Sequence, residues 1–379
     1  MKKSLIALAV AGAFAAPAMA DSGNVTLYGQ ANVSYDMVDN GNITGTQGTR
    51  TNKVSSNASR IGLKGSEDLG GGLSAVWQVE STVDIDGDTG AGANTNTLGT
   101  RNTFAGLSGK DWGTLVLGRH DTPYKLSTRN LDQFADTIAD NRSLMGTGGG
   151  VGFDLRTPDT VAYISPNMGG FSAAVAYVAG AEAASLSTQT KGSAWSLAGM
   201  YEAGPLYATL AYQANDFGSA GTGLLAGTAN TNEKAWKLGA SYKMDAFEGD
   251  IVYEKTSDDL GAACGGAAGQ DCFGHRSWYL AGKYSFGSDA VKLAYTNAGN
   301  NNLAGNVVGA GANTGAKQVS IGYDHSFSKR TGFYALYTKL SNDTNAANGL
   351  TTAGSTGGTA VLGNDADPSA WSFGLKHSF

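Results

Sequence analysis

The sequence predicts an all-β chain folded as a sixteen-stranded antiparallel transmembrane β-barrel. Three observations predict this fold: apolar and polar residues alternate along the chain, short connections alternate with long ones, and the composition is poor in charge. Charged residues make up only 15% of the 379 residues, whereas ordinary soluble domains contain about 25%. The 16 Tyr, 13 Phe and 6 Trp argue against disorder, because disordered chains are poor in aromatic residues.

The first twenty residues read as a removable signal peptide. A basic start and an apolar run are followed by small residues at Ala18 and Ala20, just before the expected cut at Asp21. We therefore expect residues 1–20 to be cleaved and residues 21–379 to form a single barrel domain. No later stretch is apolar over the 18 or more residues that a spanning helix needs, which excludes a helical membrane protein.

Alternation defines the strands one by one. The first segment places Val25, Leu27 and Val33 on one face and Gln30 and Asn32 on the other, and the second and the last segments repeat this pattern. Strict alternation predicts a strand with one apolar and one polar face. In chain order, the sixteen segments are 24–37, 57–69, 73–83, 101–108, 112–119, 159–165, 171–178, 194–203, 206–215, 233–244, 247–257, 276–286, 289–297, 316–327, 330–342 and 370–379.

The connections explain how these strands are arranged. Seven are tight turns, such as Gly70-Gly71-Gly72, and eight are long loops rich in Gly, Asn, Thr and Ala. A soluble β-sandwich would not separate loop lengths by end, and its apolar faces would need a second sheet. A closed barrel in lipid leaves its apolar face to the bilayer and has no open edge. Sixteen strands are enough to enclose an aqueous channel.

Four stretches of the sequence resemble the general porins of Gram-negative outer membranes. They are Val25-Thr26-Leu27-Tyr28-Gly29, the run SRIGLKGSEDLG over residues 59–70, Leu117-Gly118-Arg119, and the terminal Gly374-Leu375-Lys376-His377-Ser378-Phe379. Arg156 and the later Tyr163-Ile164-Ser165-Pro166 also fit the family pattern, but Asp159 stands where the family usually has an Asn. The resemblance implies a homotrimer in the outer membrane of a Gram-negative bacterium, in contact with lipid and lipopolysaccharide.

The end of the chain resembles the signal that is read by the barrel-assembly machinery of the outer membrane. Aromatic and apolar residues alternate up to a C-terminal Phe: Phe373, Leu375, His377 and Phe379. The same pattern also fits a last lipid-facing strand. Both roles can hold together, so we expect the assembly machinery among the partners of this chain.

The resemblance further implies that the third long loop, residues 120–158, folds inward and narrows the channel. It is the longest connection, and its apolar residues recur at the spacing of one helix face, which we expect to pack on the barrel wall: Leu131, Phe134, Ala135 and Ile138. Three carboxylates share another face of this predicted helix and would face the lumen: Asp132, Asp136 and Asp140. A solvated acidic face on a surface loop is the alternative.

Opposite these carboxylates, the resemblance implies basic residues on the barrel wall: Arg60, Arg101, Arg119 and Arg156, with Lys64 and Lys125 beside them. Arginine suits such a cluster because it stays ionised beside like charges. Facing charges of opposite sign orient dipolar solutes and bias ion selectivity. The formal charge of −6 becomes −8 once the two lysines of the signal peptide are removed, from which we expect a weak preference for cations.

These features predict a water-filled channel for passive diffusion of ions and small hydrophilic solutes. A substrate-specific channel, for a sugar or an organic anion, stays open, although Tyr28, Tyr207 and Tyr279 are too scattered for the aromatic ladder of a sugar channel. We expect no enzyme, because none of the four His residues has a recognisable nucleophile arrangement. We expect no adhesin either, because the first strand follows the expected cut directly. An acidic balance without a basic run excludes nucleic acid as a partner.

Two cysteines, Cys264 and Cys272, lie eight residues apart in the sixth long loop. Exported proteins reside in an oxidising environment, so the pair predicts a disulfide. A metal site is disfavoured because the chain contains no second pair of cysteines. We expect neither a metal nor a cofactor.

Overall fold

The computed structural model describes residues 25–43, 46–87, 98–179, 192–218, 230–302, 312–350 and 363–379. The expected signal peptide lies outside these ranges, so its cleavage stays a prediction. Within them the chain forms seventeen strand segments that belong to one antiparallel sheet. No helix of the described residues is long and apolar enough to cross a membrane.

The seventeen strand segments follow one another around a closed wall. They are β1 Val25–Asp39, β2 Arg50–Ser56, β3 Arg60–Gly70, β4 Leu73–Thr82, β5 Thr103–Gly109, β6 Gly113–Asp121, β7 Arg156–Ile164, β8 Phe171–Val178, β9 Ser193–Ala203, β10 Leu206–Asp216, β11 Asn232–Met244, β12 Phe247–Asp258, β13 Arg276–Phe286, β14 Asp289–Ala298, β15 Ala316–Ser326, β16 Thr331–Asn342 and β17 Ser369–Ser378. Pairing of β1 with β17 closes the sheet. Both β2 and β3 pair with β1, so they are two parts of one wall strand, and the barrel has sixteen strands as predicted.

A bulge separates β2 from β3. Val33 pairs with Ser56 and Gln30 pairs with Arg60, so the partner strand carries one extra residue over this stretch. Ala58 within it has a positive φ of 54°. The extra residue moves the apolar pattern to the other parity. The sequence pattern therefore identified this strand only from residue 57 onward, and missed its first half.

Solvent exposure confirms which face of each strand points outward. Leu27 and Leu375 are exposed, whereas Asn32 and Ser372 at neighbouring positions are buried inside the barrel. Aromatic pairs such as Trp236–Tyr253 and Phe247–Tyr284 lie on the outer face near the strand ends. An apolar outer band between two aromatic girdles is typical of barrels in the outer membrane.

The connection between β6 and β7 contains helix α1, Pro123–Thr128, and two 3-10 turns, Arg129–Leu131 and Asn141–Ser143; a further 3-10 turn, Gly261–Cys264, follows β12. The helix predicted for the stretch from Leu131 to Ile138 is wrong, because residues 132–140 form turns. Carboxylates there accept the backbone N–H groups that a helix would use, as Asp132 does from Phe134 at 2.9 Å.

Candidate functional site

The third loop, here residues 122–155 between β6 and β7, contacts the inner face of the barrel on several strands. Tyr124 donates its hydroxyl hydrogen to Glu254 of β12 at 2.7 Å. Tyr279 of β13 donates to Asp132 at 3.1 Å. On the far side, the side-chain amide of Asn32 on β1 donates to the carbonyl of Asp136 at 2.9 Å. These contacts join opposite parts of the wall through the loop.

Apolar side chains of the loop pack on the wall even though they are not helical. Leu131, Phe134 and Ile138 are at most 1% exposed. Two wall glycines make room for them, because a Cβ atom on Gly322 would lie 2.8 Å from the ring of Phe134, and one on Gly239 would lie 2.6 Å from Leu131. The period of the apolar residues thus predicted their burial correctly, but not the backbone conformation.

The charged residues of the loop form a compact group, which we call the tip cluster: Arg129, Asp132, Asp136, Asp140 and Arg142. Arg129 lies 2.5 Å from Asp140 and 2.8 Å from Asp136. Arg142 binds both carboxylate oxygens of Asp140, at 2.9 and 2.8 Å. Asp132 and Asp140 are buried, which corrects the expectation that all three carboxylates face the lumen; only the side chain of Asp136 is partly exposed.

Burial and charge act in opposite directions on these carboxylates. Burial opposes ionisation of Asp140, but Arg129 and Arg142 hold its pKa well below the usual range. Arg129 and Arg60 likewise overcome burial and lower the pKa of Asp136. Burial, reinforced by the neighbouring Asp140 carboxylate, raises the pKa of Asp132 to about 6. One member of the tip cluster therefore titrates close to neutral pH.

On the wall, Glu80 of β4 organises the predicted basic residues. Arg101 binds its carboxylate at 2.6 Å, and Arg60 lies 3.9 Å from it and 3.8 Å from Asp136 of the loop. Tyr28 donates its hydroxyl hydrogen to Glu80 at 3.0 Å. The sequence analysis missed Glu80, whose position on the polar face of the third predicted segment was the available signal.

The remaining predicted wall residues lie in different surroundings. Arg156 and Lys125 bind Asp121 at 3.1 and 2.6 Å, where the third loop leaves and rejoins the barrel. Lys64 is buried on the inner face, with its ammonium 5.0 Å from the ring centre of Tyr28. Arg119 alternates with the outward Leu115 and Leu117 and donates to the carbonyl of Thr100 at 3.0 Å, so its place in the pore lining stays a prediction.

A second set of wall charges, which sequence reasoning missed, holds the glycine-rich end of the loop. Glu233 of β11 accepts hydrogen bonds from the backbone N–H groups of Gly150, Val151 and Gly152 at 2.9–3.1 Å. Glu254 accepts one from Gly146 at 2.8 Å. Both residues lie on polar faces of predicted strands, but no local pattern in the sequence links them to residues about a hundred positions away.

The structure joins Cys264 and Cys272 in a disulfide, with 6.3 Å between their Cα atoms. Phe373, Leu375 and Phe379 are exposed on the outer face, and Phe379 exchanges two backbone hydrogen bonds with Gly29, of 3.0 and 3.1 Å. Their predicted role as an assembly signal stays a prediction. In the part of the chain that the structure describes, no group of three His, Cys, Asp or Glu residues could hold a metal ion.

Comparison with known proteins identifies the family. The family model described as Gram-negative porin matches residues 7–345. Outer membrane porin protein 32 of Delftia acidovorans is 31% identical, over the full length of both chains. The major outer membrane protein P.IB of Neisseria lactamica is 28% identical, over 94% of this chain and 98% of its own.

Solved structures agree with this assignment. The anion-selective porin from Comamonas acidovorans has a TM-score of 0.76 at 26% identity, covering 94% of this chain and 99% of its own. The trimer form of OmpT from Vibrio cholerae shares the fold, with a TM-score of 0.65 at 16% identity over 95% of this chain and 100% of its own. The chain belongs to the Gram-negative porin family and forms a β-barrel channel for passive diffusion across the outer membrane.

Proposed function

We propose that the third loop forms the narrowest part of the channel and that the channel favours anions. The observation that carries this proposal is the neutralisation of the tip cluster by arginines of the loop itself. Each of its three carboxylates lies within 3.4 Å of Arg129, so the loop presents little free negative charge to a passing ion.

The wall supplies the excess of positive charge. Arg60 and Arg101 share the single carboxylate of Glu80. Lys376 is exposed on the inner face of β17, in the row next to Arg60 along β1. This local balance reverses the cation preference expected from the net charge of the chain. A solved relative at 26% identity is described as an anion-selective porin, which supports the same sign.

Recording in planar bilayers tests the proposal. Under a gradient of KCl, the reversal potential should show a preference for chloride, and Asp136→Asn should strengthen it. The increase should reach at most about fivefold in the permeability ratio, since one charge at 4 Å is worth about 1 kcal/mol in water. Asp111→Asn, in an exposed turn, is the matched control. A reversal potential of the opposite sign would contradict the proposal.

We propose a homotrimer as the assembled form. The described outer faces of β2–β6 carry mostly aliphatic residues, such as Val54, Ile61, Leu63, Leu107, Leu115 and Leu117. The girdle pairs lie elsewhere, on β8–β9, β11–β12, β13–β14 and β16–β17. Aromatic girdles belong where protein meets the membrane surface, so the aliphatic sector suits contact with other copies. Cross-linking in native membranes should give trimers; a species no larger than a monomer would contradict this.

The remaining assignments follow from the family. We propose that lipopolysaccharide covers the outer face, that the assembly machinery reads the C-terminal strand, and that the protein performs no catalysis. The relatives named above are porins, which supports a channel without an enzymatic site. Deleting Phe379 should strongly reduce the amount of folded barrel in the outer membrane if the C-terminal signal is used.

A further inference from the structure

A cavity of about 380 Å³ lies between the third loop and the tight turn that joins β15 to β16. Asp132, Gln133 and Thr137 of the loop line one side, and inner-face residues of β13–β17 and β1 line the other. Because the loop enters from the long-loop end of the barrel, this cavity lies beyond the constriction, on the side of the tight turns. We call it the exit basin.

The exit basin is rich in positive charge. Five cations line it against two carboxylates, Asp132 and Asp324: Lys283, Lys292, Lys329, Arg330 and Lys376. Both carboxylates already have partners, since Arg129 lies 3.4 Å from Asp132 and Lys292 lies 2.9 Å from Asp324. Lys292 also donates to the carbonyl of Gln133 at 2.9 Å, which fixes it beneath the loop.

Two lysines of the basin are left without a carboxylate. Among the described residues, none lies within 4.0 Å of the ammonium of Lys283 or Lys376. Lys283 stands directly opposite Lys292 on the neighbouring strand, and like charges in that position repel each other. Lys376 stands opposite Gly332, so no cross-strand side chain fills the space beside it. The basin thus combines open volume with uncompensated charge.

We propose that the exit basin binds a small anion carrying at least two negative charges, held between Lys283 and Lys376. This inference rests on the anion preference proposed above and names the class of solute that profits from it. Hydrogen phosphate and small dicarboxylates share the required chemistry. Lysine suits a site of passage, because its ammonium is a strongly hydrated point charge, and conduction requires binding weak enough for release.

Block of the chloride current tests the proposal. Full-length protein in a planar bilayer would be recorded in KCl while succinate or inorganic phosphate is added to one side. Either anion should reduce the current, and more strongly from the tight-turn side. Lys283→Gln with Lys376→Gln should raise the half-blocking concentration by at least about tenfold, the effect of losing a charge-assisted hydrogen bond. Lys110→Gln, in another tight turn, should leave it unchanged.

The conservative pair Lys283→Arg with Lys376→Arg should retain the block, which separates loss of charge from misfolding. Equal block of the wild type and the glutamine variant would overturn the proposal, as would no block of the wild type by either anion. Block by phosphate alone or by succinate alone would identify the source of the anion. A wild-type channel that prefers cations in KCl would instead refute the anion preference, and the reversal potential reads this separately.

Discussion

Two parts of the third loop are held in place by opposite means. The tip cluster contains its own counter-charges, because Arg129 and Arg142 bind Asp136 and Asp140 at 2.5–3.6 Å within the loop. The glycine segment, residues 146–152, has no side-chain charge and is held by Glu233 and Glu254 of the wall. The first arrangement is local in the chain, whereas the second joins residues more than eighty positions apart.

This difference separates shape from attachment. A cluster that neutralises itself keeps its form wherever the loop lies, and it presents little charge to solutes. A segment held through backbone N–H groups depends on the wall, since glycine offers no side chain for packing. Variants in the two parts should therefore fail differently, with loss of selectivity at the tip and loss of rigidity in the glycine segment.

The largest effect is expected from Arg129→Gln. It leaves three buried or half-buried carboxylates with Arg142 and the more distant Arg60, and breaking a buried ion pair costs about 3–5 kcal/mol. Hydrogen exchange in residues 129–142 should accelerate by about two to three orders of magnitude, and selectivity should move toward cations. Arg50→Gln, which breaks an exposed pair with Asp39, is the control and should change neither. Unchanged exchange in the Arg129 variant would show that the cluster does not hold the tip.

Glu233→Gln should have the next largest effect, confined to the glycine segment. The amide replaces one acceptor oxygen with a donor that faces backbone N–H groups, and one lost hydrogen bond to a charged group costs about 1.5–3 kcal/mol. Open-channel current noise should increase while the reversal potential stays unchanged. Glu248→Gln, from an exposed pair with Lys243, is the matched control. A change in selectivity without added noise would remove the distinction between the two parts.

The sequence predicted the barrel well because each strand records its own two faces in its alternation. Leu27 and Asn32 reveal their sides without reference to any partner. It predicted the tip cluster only as a set of residues, because the spacing of Asp132, Asp136 and Asp140 is helical but their side chains capture the backbone. It could not reveal Glu233, since nothing near that residue signals a glycine segment far back in the chain.

The titration of Asp132 gives a smaller effect at the tip. Its pKa of about 6 means that the carboxylate is charged at pH 8 and neutral at pH 5. Protonation removes one negative charge from the loop, so the preference for anions should increase as the pH falls from 7 to 5. The change should be smaller than that caused by Asp136→Asn, because Asp132 is more deeply buried. Asp132→Asn should abolish it; an equal pH dependence in that variant would assign the titration to another group.

The smallest effect concerns the disulfide, which supports the glycine segment from outside. Leu260 and Phe273, in the loop that carries Cys264 and Cys272, lie so close to Gly149 that a Cβ atom there would collide with both. Replacing both cysteines with serine should leave conductance and selectivity unchanged and increase the current noise less than Glu233→Gln does, because the carboxylate anchor remains. In wild-type protein, thiol alkylation should require prior reduction. Alkylation without reduction would show that the bridge is absent, and noise equal to that of Glu233→Gln would show that the outer support matters as much as the wall.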